Sequence, residues 1–119
     1  MTEKRPYTIF LDIDGCIVFH NGSLSKQIKK PKILKGVVEK FDAWDRKSYK
    51  IILTTGRRES MRQLTEDQLN KLGLFWDQLI MGIGGGPRIL INDMKPSSTE
   101  PTAMAINIER NKGLSNIEI

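Results

Sequence analysis

One stretch, residues 9–15 (IFLDIDG), constrains the fold more than any other part of the chain. Its unbroken apolar run predicts a strand buried on both faces, as in a parallel sheet. Because side chains alternate along a strand, Asp12 and Asp14 are expected on the same side, and Gly15 permits a sharp turn after them. Open α/β sheets bind ligands at the carboxyl ends of their strands. The two carboxylates therefore predict either a ligand site, with a cation or a shared proton between them, or a charged turn.

The composition is that of a soluble single domain. The 119 residues are 39% hydrophobic and 28% charged, and no apolar run has the length of a membrane span. The single cysteine, Cys16, excludes an internal disulfide and predicts a reducing, cytoplasmic location. The formal net charge of +5 favours anionic partners, which include phosphorylated metabolites and nucleic acid. The lysines of residues 26–35 are either a solvated basic loop or a rim that attracts a phosphate-bearing substrate.

Between the first two predicted strands the sequence indicates a hairpin and a helix. Asn21 and Gly22 form a strong hairpin-turn signal, which predicts a short flap over about residues 17–30. Apolar residues at helical spacing predict a helix from about residue 33 to Lys47. The lone histidine, His20, lies in the predicted flap, where it is either a surface residue or a substrate contact.

The second half of the chain predicts further strands and one more helix. A buried strand over residues 49–53 runs into a polar turn, and the next helix is expected to start with Ser60 as its N-cap and to stop at Gly73. Residues 77–82 predict a third strand, 88–93 a fourth and 103–108 an edge strand. The link between the third and fourth strands is short for a parallel crossover, which favours a short or irregular third strand.

Three of the predicted strands end in polar side chains. These are Asp12 and Asp14, Thr54 and Thr55, and Asp93. In a parallel sheet their ends lie at one edge, so the three carboxylates would converge in a set that suits Mg²⁺. An aspartate there can attack phosphorus, while a second carboxylate serves as general acid and base. The strand ends therefore predict phosphoryl chemistry.

The turn after the second strand predicts a phosphate-binding site. Thr54, Thr55, Gly56 and Arg57 follow one another there, and Arg58 comes next. Hydroxyl groups, backbone N–H groups at a helix start and arginines are the donors that bind anions. Helix capping alone is the structural alternative.

In these motifs the chain resembles the haloacid dehalogenase (HAD) superfamily of phosphohydrolases. The resemblance covers residues 7–95 and rests on an apolar strand with D-x-D-G at 10–15, a strand ending in T-G-R at 53–57, and a strand ending in aspartate at 91–93. It implies an α/β, three-layer Rossmann-like fold with a mainly parallel sheet, forming one domain over residues 1–119. The spacing leaves room for a short β-hairpin flap but for no cap domain.

The resemblance also implies a role for each matching residue. Asp12 would be the nucleophile and Asp14 the general acid and base. Mg²⁺ would be bound by Asp12, by Asp14 through its backbone carbonyl, and by Asp93. Phosphate would be bound by Thr55 or, as the less favoured register, Thr54, together with Gly56 and Arg57. The lysine of the family's third motif is missing, and Arg88 or Lys95 is expected to substitute for it.

The resemblance implies a Mg²⁺-dependent phosphomonoesterase with an aspartyl-phosphate intermediate. The chain is similar to small capless proteins of this superfamily that are associated with capsule and surface-sugar synthesis. A sugar phosphate or another small phosphorylated metabolite is therefore the expected substrate. Three alternatives remain open: a nucleotide or nucleic-acid-end phosphatase, a phosphotransferase, and a binding module without catalysis. No membrane partner is expected. Capless proteins can close their sites through oligomer contacts, and an exposed flap with Ile17, Val18 and Phe19 would suit a homo-oligomer.

Overall fold

The computed structural model describes residues 5–20, 22 and 30–119, and in them the chain forms a small parallel sheet with helices between its strands. The strands are β1 (Thr8–Asp12), β2 (Lys50–Thr54) and β3 (Gln78–Ile80), in the order β1-β2-β3. Helix α1 (Val37–Arg46) lies between β1 and β2 in the chain. A 3-10 turn (Glu59–Met61) and helix α2 (Arg62–Lys71) lie between β2 and β3. The predicted α/β class with a parallel sheet is confirmed.

Because both strand pairs are parallel, the carboxyl ends of the three strands lie at the same edge of the sheet. Asp12 is the partner of Thr54, and Thr54 is the partner of Ile80. The predicted burial of β1 on both faces is wrong, because its side chains alternate between buried and exposed. Ile9 and Leu11 enter the core, whereas Phe10 is 55% exposed. The short third strand that the sequence favoured is found.

Helix α1 starts later than its apolar periodicity predicted. The N–H of Leu34 donates to the carbonyl of Ile17, and Ile33 forms an antiparallel bridge with Val18, so these residues pair with the loop after β1. Gly36 then takes a φ of 79°, and the helix begins at Val37. The strand-like pairing at the base of the predicted flap is therefore present, while its Asn21 turn lies outside the described residues.

The prediction of an exposed flap surface for homo-oligomer contacts is wrong for two of its three residues. Ile17 and Val18 are buried in the core, at 0% and 2% exposure. Phe19 is 39% exposed, with the ammonium of Lys32 over its ring. Ile17 and Val18 point inward because the loop after β1 folds back on itself, with the N–H groups of both residues donating to the carbonyl of Ile13.

The strands predicted at residues 88–93 and 103–108 are wrong, because neither segment forms a strand in the described structure. Only residues 81–87 separate β3 from the first of them, and a parallel crossover needs a dozen residues or more. The chain leaves the sheet at Gly82, whose N–H donates to the carbonyl of Arg57. As a result Ile89 and Ile91 are 86% and 88% exposed.

The last residues of the chain pack on the start of α1. Leu114 is fully buried, and its N–H donates to the carbonyl of Lys35 over 2.8 Å. The close approach depends on glycine, because a Cβ on Gly36 would lie 2.6 Å from the backbone nitrogen of Ser115. No helix among the residues with described structure is long and apolar enough to cross a membrane.

Candidate active site

A cleft of about 470 Å³ opens at the carboxyl ends of β1 and β2. It gathers side chains from the loop after β1, from the turn after β2 and from the irregular C-terminal part of the chain. Six of the predicted site residues line it: Asp12, Asp14, Thr55, Gly56, Arg57 and Arg88. It is also lined by His20, Arg58 and Arg110.

Asp12 is the last residue of β1, and its carboxylate is exposed to the cleft. Its Oδ1 accepts a hydrogen bond from the N–H of Ile13 over 3.1 Å. Partial burial raises the pKa of Asp12, while the Ile13 N–H and the positive charge of Arg88 act in the opposite direction. Asp12 thus has the positive charge of Arg88 acting on it but forms no ion pair within the described residues.

Asp14 is held by a buried ion pair with Arg57. Nε and Nη2 of Arg57 donate to the two carboxylate oxygens over 2.9 and 2.8 Å. The side chains of Arg57 and Asp14 are 3% and 12% exposed. Two parallel charge-assisted bonds of this kind fix both groups. Asp14 therefore orients Arg57, and the proton-transfer role implied for Asp14 requires one of these bonds to open.

Helix α2 supplies the rest of the guanidinium's partners. Nη1 of Arg57 donates to Oγ1 of Thr65 and Oε1 of Gln68, over 3.2 and 2.8 Å. This explains why two polar residues, Thr65 and Gln68, are buried on α2 beside Leu69. The predicted Ser60 cap is also wrong, because Ser60 lies in the 3-10 turn and α2 starts at Arg62 without a side-chain cap.

The turn after β2 places Thr55 and Gly56 in the cleft, but not Thr54. Thr55 is 1% exposed, and its Oγ1 accepts a hydrogen bond from the N–H of Arg57 over 3.1 Å. The hydroxyl hydrogen of Thr55 is then available to a ligand. A Cβ on Gly56 would lie 3.2 Å from the carbonyl oxygen of Ile83, so the turn is packed closely against the chain after β3. Of the two threonines, the geometry favours Thr55.

The C-terminal part of the chain secures the loop that carries Asp14, which the sequence did not indicate. The N–H of Asn111 donates to the carbonyl of Gly15 over 2.9 Å. Its side chain accepts from the N–H of His20 and donates to the His20 carbonyl, over 2.7 and 3.2 Å. These bonds hold Arg110, the residue before it, at the cleft. Asn111 and Gly113 are residues typical of turns, but nothing in the sequence places that turn at the site.

Asp93 and Lys95 are not brought into the cleft. Both lie in the exposed segment after residue 88. Of the two cations expected to replace the third-motif lysine, the structure therefore brings in Arg88. Its Nη1 donates to the carbonyl of Gly86 over 2.6 Å, which braces the guanidinium beside the loop.

The carboxylates in the cleft decide whether it suits Mg²⁺. Both carboxylate oxygens of Asp14 accept hydrogen bonds from Arg57, and Asp93 lies outside the cleft. Across residues 5–20, 22 and 30–119, no three His, Cys, Asp or Glu side chains form a group that could hold a metal ion. Mg²⁺ is commonly bound through one or two carboxylates, with water and substrate phosphates completing its shell. The donor set thus fits an ion shared between Asp12 and a bound phosphate, and does not fit a cage made by the protein alone.

Cys16 does not act as a nucleophile in this arrangement. Burial, with a smaller contribution from the charge of Asp12, raises the pKa of its thiol to about 11. The thiolate is the reactive form, so the thiol remains protonated and unreactive at neutral pH. The carboxylate of Asp12 is the better candidate nucleophile.

Comparison with known proteins gives structural similarity but no sequence family. No family model matches the sequence, and no curated protein matches it either. The chain is similar to a chain in the structure of the Pnkp1/Rnl/Hen1 complex, at 25% identity over 71% of its length with a TM-score of 0.56. A second structure, of the Pnkp1/Rnl/Hen1 RNA repair complex, matches at 26% identity over 70%, also with a TM-score of 0.56.

The chain spans 30% and 28% of the length of those two chains. A crystal structure of a target protein from Vibrio cholerae is similar at 17% identity and a TM-score of 0.53, covering 76% of this chain and 85% of the other. At that identity the similarity concerns the fold. The chain thus has a small α/β fold with a three-stranded parallel sheet and helices between its strands.

Proposed function

We propose that this chain is a phosphomonoester hydrolase in which Asp12 is the nucleophile. One observation carries the proposal: the carboxylate of Asp12 ends a strand and faces a cleft lined by Arg58, Arg88 and Arg110. An anionic nucleophile repels an anionic substrate unless cations offset the charge. The three guanidinium groups supply that charge, and arginine binds phosphate oxygens with good geometry.

The reaction would proceed in two displacements at phosphorus. An Oδ atom of Asp12 attacks the phosphorus, an aspartyl-phosphate bond forms, and the bond to the leaving oxygen breaks as that oxygen gains a proton. Water then attacks the same phosphorus, loses a proton and releases inorganic phosphate, which restores the carboxylate. Arg88 and the hydroxyl of Thr55 would stabilise the charge that develops on the phosphoryl oxygens.

Proton transfer to the leaving oxygen is assigned to Asp14 by the resemblance. Two bonds to Arg57 occupy its carboxylate, so the transfer requires a shift of that pair. His20 also lines the cleft, and its imidazole is the alternative proton donor. In both cases Arg57 holds the carboxylate of Asp14 in position. A contact between Arg57 and the phosphate remains a prediction.

We also propose that the reaction requires Mg²⁺. Asp12 would hold the ion together with an oxygen of the bound phosphate. When bound, the ion would offset phosphoryl charge. Asp93 and the side chain of Asp14 are not needed for this arrangement, which differs from the set of three aspartates that the resemblance implies.

The substrate is proposed to be a small phosphorylated metabolite, such as a sugar phosphate, in a cytoplasmic setting. A phosphorylated nucleic-acid end is the second candidate. It is supported by the number of arginines in the cleft and by the 25–26% identity to chains from structures of an RNA repair complex. The similarity covers less than a third of those chains, so it supports a substrate class without assigning one.

Phosphate release from sugar phosphates, nucleotides and 3′-phosphorylated oligonucleotides, each with Mg²⁺ and with EDTA, tests the proposal. Asp12→Asn keeps the size and the hydrogen bond from Ile13 but removes the nucleophile. It is expected to abolish release, while the same change at the exposed Asp42 on α1 serves as a matched control. Release that survives Asp12→Asn would refute the mechanism.

A further inference from the structure

We propose that this chain forms a two-fold dimer in which an apolar arm of each copy covers the open face of the sheet in the other. The open face is the side of the sheet that carries Phe10, Ile52 and Ile80, and the arm is residues 89–106. Both surfaces lie outside the cleft, so the inference is independent of the proposed function.

Both helices pack on the same side of the sheet. Leu11, Leu53 and Leu79 stand in register across the three strands and are buried. They belong to one core that also holds buried residues of α1 and α2. Right-handed parallel connections that move in one direction across a sheet all cross on one side of it, as the order β1-β2-β3 requires here. Neither helix therefore covers the opposite face.

The opposite face, which is the open face, presents apolar side chains to solvent. Phe10 is 55% and Ile80 is 41% exposed, and Ile52 is half-buried. Phe10 is the register partner of Ile52, and Ile80 lies diagonally across from Ile52 on β3. Purely parallel sheets are found almost only with both faces covered. The open face is therefore a surface that another segment is expected to cover.

The arm is an apolar segment without a surface to pack on in its own copy. Residues 84–102 are all exposed, and none of residues 84–106 lies in a helix or strand. Irregular segments of this length are uncommon in compact domains and usually carry a function. The apolar side chains of the arm that are more than half exposed are Ile89, Leu90, Ile91, Met94, Met104 and Ile106.

The ends of the arm are anchored at the carboxyl edge of the sheet. On one side the N–H of Ile83 donates to the carbonyl of Thr55 over 3.0 Å, and on the other the N–H of Asn111 donates to the carbonyl of Gly15 over 2.9 Å. Between these anchors the arm extends into solvent, and a single copy covers neither the arm nor the open face.

The exposed area is large enough for a stable dimer. The chain has an accessible surface of 8816 Å², whereas a compact monomer of 13.6 kDa exposes about 6,600 Å². Its radius of gyration is 15.4 Å, against about 13.5 Å for a compact domain of this length. A standard interface removes about 800 Å² from each partner. The surplus surface of one copy exceeds that requirement.

A second copy is the occupant that satisfies both surfaces at once. It offers an arm to the open face and an open face to the arm, so a two-fold axis forms both contacts and closes the assembly. Any other partner of the open face would leave the arm exposed unless it carried a second matching surface.

Sedimentation velocity of the full chain over a range of concentrations tests the dimer. Phe10→Ser removes the ring from the open face, and the double variant Ile89→Ser with Ile91→Ser removes two side chains from the arm. Val38→Ser is the matched control, because Val38 is 52% exposed on α1, outside both surfaces. Circular dichroism checks that each variant folds. If Phe10→Ser does not, Ile80→Ser takes its place on the open face.

The wild type and Val38→Ser should sediment with twice the mass of one chain. Each substitution occurs twice in a two-fold dimer, so the face variant and the arm variant should each raise the dimer dissociation constant at least about tenfold. A wild type that is monomeric at every concentration would overturn the inference, as would a dimer that either variant leaves unchanged.

A mixture of the two variants tests whether the arm binds the open face. The face variant keeps an intact arm and the arm variant keeps an intact open face, so an equimolar mixture can form one arm–face contact. The mixture should therefore associate at a lower concentration than either variant alone. A mixture that associates no better than its components would show that the dimer joins two arms or two faces, and would overturn the inference.

Discussion

Replacing Arg57 by methionine tests the buried ion pair that organises the site. The substitution keeps a long, unbranched side chain but leaves the nearly buried carboxylate of Asp14 without its cation. It also removes a donor to Oγ1 of Thr65, which is fully buried. Breaking a buried ion pair from one side costs about 3–5 kcal/mol. For a domain of this length that corresponds to a fall in Tm of about 10–20 °C.

The matched control is Arg46→Met, since Arg46 forms an exposed ion pair with Asp42 on α1. An exposed pair is worth about 0–1 kcal/mol, so the control should move Tm by only a few degrees. Urea titrations followed by circular dichroism give both free energies of unfolding. In the double variant Asp14→Leu with Arg57→Met, part of the loss should be recovered, because the stranded charge disappears. If Arg57→Met costs no more than Arg46→Met, the assignment of Arg57 as the residue that holds the Asp14 loop is refuted.

Two further predictions concern pH and backbone conformation. The pKa of Asp12 is raised by burial and lowered by Arg88; activity should therefore fall as the pH drops through a pKa above the usual aspartate value, and Arg88→Gln should move this acidic limb of the pH–rate profile to higher pH. A limb that stays in place or moves to lower pH would contradict the proximity of Arg88 to Asp12. Gly113→Ala should destabilise the chain by about 1–3 kcal/mol more than Gly73→Ala in urea titrations. Both glycines have positive φ, but only at Gly113 would a Cβ meet backbone, that of Lys35; equal losses would argue against the packing of the C-terminal turn on α1.

The sequence by itself determined the elements that local chemistry controls. Apolar residues specify β1 and β2, because each strand sends alternate side chains, among them Leu11 and Leu53, into the core. Gly73 follows the last turn of α2 and stops the helix, as predicted. Its φ is 78°, a conformation that few other residues adopt. The D-x-D-G and T-G-R motifs also indicated where the cleft would form. Parallel pairing aligns the carboxyl ends of β1 and β2 once both strands exist.

Only the tertiary structure decided what each polar group does in the cleft. Spacing alone cannot show that Arg57 binds Asp14 rather than a ligand, because the pairing depends on a contact across 43 positions of the chain. A similar reason explains why residues 88–93 do not form the predicted fourth strand: their side chains favour a strand, but the link after β3 is too short to return them to the sheet. Arg110 enters the cleft through the packing of Asn111 and Leu114. These long-range contacts are set by the fold as a whole, so local sequence carries little trace of them.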